Sequence, residues 1–79
     1  MEYNVGQIVK AKAGRDKEGF FVIIAIDGQF AYIADGRHRL VDKPKKKKLI
    51  HLAPTAKTAQ TFASNREIKH ALREFLSEN

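Results

Sequence analysis

Seven basic side chains crowd the fifteen residues from Arg37 to His51 (RHRLVDKPKKKKLIH), and Asp42 is the one acid among them. Ammonium and guanidinium groups donate hydrogen bonds and carry charge, which suits them to phosphate oxygens. This segment holds a net +6, and the rest of the 79-residue chain balances at eight bases and eight acids. Scattered lysines would only keep a protein soluble. Concentrated ones create a local field that attracts polyanions, nucleic acid first among them. A solvated basic loop, an anionic membrane surface and an acidic protein partner are the competing accounts.

Other chemistry finds little to work with. His38, His51 and His70 lack metal-ligand spacing, and there is no cysteine to supply a thiolate or a disulfide. Ser64 and Ser77 belong to a helix, and Asp27 and Asp35 are turn residues before they are carboxylates. Gly14 to Gly19 (GRDKEG) leads into a strand, whereas a nucleotide-cradling glycine loop leads into a helix. The expectation is no enzyme, no metal and no cofactor.

The elements that must position the basic segment are short strands. Gln7 to Ala13 (QIVKAKA) alternates, with Val9, Ala11 and Ala13 on one face and Lys10 and Lys12 on the other. Phe20 to Ile26 is apolar on both faces and rich in β-branched residues, as in a central strand. Asp27-Gly28 and Asp35-Gly36 bracket a strand over Gln29 to Ala34, because glycine accepts the positive φ of tight turns. Arg37 to Val41 and Lys48 to Leu52 read as two further strands. Pro44 breaks regular pairing, which makes Asp42 to Lys47 an exposed loop. Five short strands bury both faces most readily by closing up, so the expected fold is mainly β: a small SH3-like antiparallel barrel over residues 1–53.

Residues 54–63 read as a linker with one anchoring contact from Phe62. Ser64-Asn65-Arg66-Glu67 has the spacing of a helix capping box. Behind it, Ile68, Ala71, Leu72, Phe75 and Leu76 form one apolar stripe, predicting a helix over 64–77 that docks on the barrel to make a single domain. The longest apolar run, GFFVIIAI, has strand length and not the length of a membrane span. A soluble, cytoplasmic chain with no membrane contact is expected.

Val5 to Gly19 (VGQIVKAKAGRDKEG) resembles a KOW motif, the signature of SH3-like barrels in ribosomal proteins and transcription elongation factors. Together with YIADG (Tyr32 to Gly36), PKKKK and the SNREI helix, it looks like the small bacterial KOW-domain RNA-binding proteins. These are related to the large-subunit ribosomal protein of the L-fourteen-e type. One departure is visible: Glu18 stands where KOW loops often carry glycine. The resemblance implies RNA binding, often ribosomal, with contacts from the loop after the first strand, at Gly14, Arg15, Asp16 and Lys17.

Gly14 would let the backbone approach a phosphate, Arg15 and Lys17 would hold it, and Asp16 would brace the loop through backbone N–H groups. To these the charge reading adds Arg37, Arg39, Lys43, Lys45, Lys46, Lys47 and Lys48, and Tyr32 is the one candidate for a base or ribose contact. Most other aromatics are expected to fill the core. The expected partners are ribosomal RNA and, around it, ribosomal proteins, with the free protein a monomer. The alternative is a KOW or SH3-like protein-interaction module of the transcription or translation machinery. PKKKK also resembles a nuclear-import signal, against which stands the likeness to bacterial proteins.

Overall fold

A computed structural model of the chain describes residues 2–78. It is mainly β: five antiparallel strands in one sheet, followed by one C-terminal helix. The strands are β1 (Gln7–Ala11), β2 (Phe20–Asp27), β3 (Phe30–Ala34), β4 (Lys45–Lys48) and β5 (Leu52–Thr58), and the helix is α1 (Asn65–Ser77). Across the sheet the order is β4-β3-β2-β1-β5.

The expected closed barrel is corrected here to an open sheet, because β4 and β5 are its two edges. The sheet is nonetheless strongly coiled, and the chain length between its edges requires this. Lys48 ends β4 and Leu52 begins β5, with only a 3₁₀ turn, Leu49–His51, between them. Four residues reach about 14 Å at most. In a flat sheet the two edge strands would stand roughly 19 Å apart, four strand spacings. Only curvature brings them within reach. Two backbone bonds hold the bend: Leu49 N–H donates to Gln29 O at 2.8 Å, and Lys12 N–H donates to His51 O at 2.8 Å.

Coiling buries the concave face against itself. Val9, Ala11, Phe21, Ile23, Ala31, Ile33 and Leu52, from four strands, make one core. The opposite face is covered over part of its area by α1, where Ile68 and Leu72 pack on Ile8, Val22, Ala34 and Ala59. Phe75 adds a tilted ring contact with Phe20, at 5.2 Å between centroids. The predicted helix and its docking are thus present, except that Leu76 at the end of the stripe lies out in solvent. Ser64 Oγ accepts the Glu67 N–H at 3.2 Å, as a capping box requires. The return bond from Glu67 goes to the Ala63 N–H, one residue earlier than the reciprocal pattern.

Three sequence expectations need correction. Arg37 to Val41 is not a strand, because Asp35 Oδ1 accepts the N–H groups of Arg37, His38 and Arg39 at 2.8–2.9 Å and folds them into a compact turn. The lysine run is not a loop: pairing resumes immediately after Pro44, and Lys45–Lys48 is an edge strand on β3. Lysine suits such an edge, since its charge repels further pairing. Finally, the last strand begins at Leu52 and runs to Thr58, into the stretch expected as a linker. Pro54 is tolerated there because β5 is an edge with no partner beyond it. Phe62 does anchor the following segment, half-buried against the helix-side core.

Candidate nucleic-acid interface

Three basic segments meet at one end of the sheet, the first far in sequence from the other two. The first is the loop between β1 and β2. Its base is closed by Glu18 N–H to Ala11 O (2.8 Å) and Ala11 N–H to Gly19 O (2.9 Å), and its tip turns through Lys17 N–H to Gly14 O (3.2 Å). Arg15 and Lys17 project from this loop into solvent. Glu18 holds a φ of 74°, the one non-glycine in the left-handed region among the described residues. Lys10 beside it, by hydrogen bond first and by charge second, holds its carboxyl below the usual glutamate range.

The second segment is the turn after β3, and one ion pair fastens it to the loop. Arg39 Nε and Nη2 each donate to a different oxygen of Asp16, both at 3.1 Å. The Asp16 side chain is only 11% exposed and that of Arg39 28%. Asp16 therefore braces the loop by receiving Arg39, not by the expected bond to backbone N–H groups. Arg39, a candidate contact on charge, is engaged inside the protein. Arg37 on the same turn is exposed.

The third segment is β4, and its four lysines have different surroundings. Alternation and register put Lys45 and Lys47 on the face of Ile33 and Ala31, and Lys46 and Lys48 on the face of Tyr32 and Phe30. Lys47 is 8% exposed. Its Nζ donates to Ala13 O at 2.6 Å, tying β4 to the β1–β2 loop across 34 residues of sequence. A Cβ on Gly14 would stand 2.9 Å from that Nζ, a contact the end of the lysine can relieve by shifting, so it is the φ of 79° that favours glycine here. Lys47 is a structural brace in the position of a candidate ligand. Lys45, Lys46 and Lys48 are exposed, as is Lys43 just before them.

No family model matches this chain, and no curated protein matches its sequence. Function must be read from the site.

Asp16 is paired to Arg39 and Glu18 to Lys10, while Asp42 stands exposed in the turn before β4. Among the described residues, Lys12, Arg15, Lys17, Arg37, Lys43, Lys45, Lys46 and Lys48 make no salt bridge, whereas Lys10, Arg39 and Lys57 do. Lys12 was not among the sequence candidates because it reads as the polar face of a strand. It borders a cleft with Tyr3, Gln29, Lys48 and Ile50, in which Ile50 is 72% exposed. Tyr32, the proposed base contact, is half-buried on β3 and paired with Lys46. No helix among the described residues is long and apolar enough to cross a membrane.

Proposed function

We propose that this protein binds RNA, through phosphate contacts made by Arg15 and Lys17 on the β1–β2 loop, Arg37 and Lys43, and the outward lysines Lys45, Lys46 and Lys48. One observation carries the reading: two internal bonds, Arg39 to Asp16 and Lys47 to Ala13, tie three basic segments together and engage Asp16, which leaves Asp42 as the exposed acid beside Lys43. The proposed contacts are themselves exposed; what these bonds fix is the backbone that carries them. Held by strands and braced loops, it loses little freedom on meeting a phosphate backbone.

The KOW resemblance supports the same reading and points to ribosomal RNA. Its one sequence departure falls where the backbone asks for glycine, since Glu18 occupies the left-handed region there. The coiled five-stranded meander, whose last strand returns to pair with the first, is consistent with the SH3-like architecture that KOW motifs accompany.

Binding to a ribosomal RNA fragment, measured by filter retention, tests the surface as a unit. The Arg15→Ala, Lys17→Ala double variant and the Lys45→Gln, Lys46→Gln, Lys48→Gln triple variant should each weaken binding, and their combination should weaken it further. If neither variant binds less tightly than the parent, the RNA reading falls and the protein-interaction module takes its place.

A further inference from the structure

The convex face of the sheet is only partly covered by α1. Ala34 of β3 lies beneath the helix with Ile8 and Val22. Along the same face of β3, Tyr32 and Phe30 follow at two-residue intervals. Register sets Lys46 opposite Tyr32 and Lys48 opposite Phe30 on one side, and Ala25 and Asp27 opposite them on the other. An aromatic pair and a lysine pair therefore stand side by side in a two-by-two array. Lys46 Nζ lies 4.5 Å from the centroid of the Phe30 ring.

These two aromatics differ from the rest of the described chain. Phe21 is in the concave core with Tyr3 packed on it, and Phe20, Phe62 and Phe75 pack on the helix side. Phe30 and Tyr32 belong to neither core, and each is half-buried, with part of its surface open to water. Neither core requires them. Asp27, the acid on this face, is on the β2 side, so a phosphate path would follow β4.

We infer that Phe30, Tyr32, Lys46 and Lys48 form a stacking surface for unpaired nucleotides, a conclusion that rests on the RNA-binding reading and narrows it to single-stranded segments. A base laid on Tyr32 leaves its phosphate beside Lys46, and a base on Phe30 takes the place of the Lys46 ammonium that lies over that ring. Successive rings on one strand face, about 7 Å apart, can take successive bases of an extended strand. A duplex has its base faces already stacked on one another and can offer this surface only its backbone. Stacking needs no particular base, so the selection is for single strands over duplexes and not for one sequence.

The chain has no tryptophan, so Tyr32→Trp introduces a single emission reporter at the centre of the array. The probes are a mixed-pyrimidine single-stranded RNA of about ten nucleotides, within the span that such surfaces cover, and the same strand annealed to its complement. The single strand should quench the Trp emission and the duplex should not. Tyr32→Leu, which keeps apolar bulk, should lower single-strand affinity by roughly 5- to 150-fold, the value of one base–aromatic stack. Tyr32→Phe should keep the parental affinity, and duplex affinity should change in neither variant. Equal quenching by the duplex, or parental single-strand affinity in Tyr32→Leu, overturns the stacking surface and leaves phosphate binding standing. Failure of the parent protein to bind either RNA overturns both.

Discussion

Arg39 and Asp16 meet in a two-pronged ion pair that spans 23 residues of sequence, with both donor–acceptor distances at 3.1 Å. The carboxylate is nearly enclosed and the guanidinium mostly so. Parallel N–H···O bonds of this kind are among the stronger polar contacts in proteins, and loss of one partner leaves the other poorly solvated. Arg39→Ala should therefore cost about 2 kcal/mol of stability in urea unfolding. The Asp16→Ala, Arg39→Ala double variant should cost less than the two single losses added together, which is the signature of direct coupling. Additive losses would show that the pair is not formed in solution.

Four adjacent lysines should respond to substitution in two different ways. Lys47→Ala removes a buried ammonium and its bond to Ala13 O, and should destabilise the fold by about 1–3 kcal/mol. Lys45→Ala, two residues away and exposed, should stay within about 0.5 kcal/mol of the parent. Thermal melts of the two variants check this, and equal melting temperatures would contradict the role given to Lys47.

Gly36 sits under the start of α1 with a φ of 80°, and a Cβ there would come within 2.5 Å of Asn65 O. The same junction is held by Val41 N–H donating to Asn65 Oδ1 at 2.7 Å. Gly28 also has a positive φ, 61°, but faces open space. Both alanine variants bear the left-handed strain of about 1–2 kcal/mol. Only Gly36→Ala also pushes on the helix, so it should melt distinctly lower than Gly28→Ala.

Glu18→Gly should raise the melting temperature at neutral pH, since glycine adopts the left-handed conformation without the Cβ conflict. The gain is partly offset by loss of the Lys10 ion pair, 2.8 Å long and exposed. Because that pair lowers the Glu18 pKa, its contribution is present above the ordinary glutamate range and disappears as pH falls through the lowered value. The advantage of the glycine variant over the parent should accordingly widen in acid. A parent that melts higher than Glu18→Gly at every pH would contradict this.

The legible parts of this fold are those where local chemistry decides. The Asp27-Gly28 hairpin, the apolar central strand and the Ser64 cap are each specified by neighbours in sequence, and each is found in place. The misread parts are decided by tertiary partners. Arg37 to Val41 has the composition of a strand, but Asp35 captures its N–H groups first. Pro54 looks like a strand terminator, yet an edge position leaves its missing donor without consequence. Closure was expected from the sequence and is not found; that the sheet stays open yet coils turns on the reach of the three residues between β4 and β5.

The site was legible as charge and not as geometry. The sequence locates the excess of positive charge in residues 37–51, but cannot say that Arg39 and Lys47 turn inward while Arg15 and Lys45 turn out. Nothing in KKKK distinguishes its third member; only the register with Ala31 does. Tyr32 alone was singled out among the aromatics, most of which were expected in the core; that Phe30 joins it outside both cores required the helix footprint.

The most direct measurement of the central claim is the salt dependence of RNA affinity for the parent and for the Lys45→Gln, Lys46→Gln, Lys48→Gln variant, which leaves the structural Lys47 intact. If these three lysines neutralise phosphates, the slope of log affinity against log salt should flatten by roughly 0.7–0.9 for each phosphate left unneutralised, because its counterion then stays on the RNA. The weakening should be the same for every RNA sequence tested, since phosphates carry no base information. A variant with the parental slope, folded and melting at the parental temperature, would contradict RNA binding by β4.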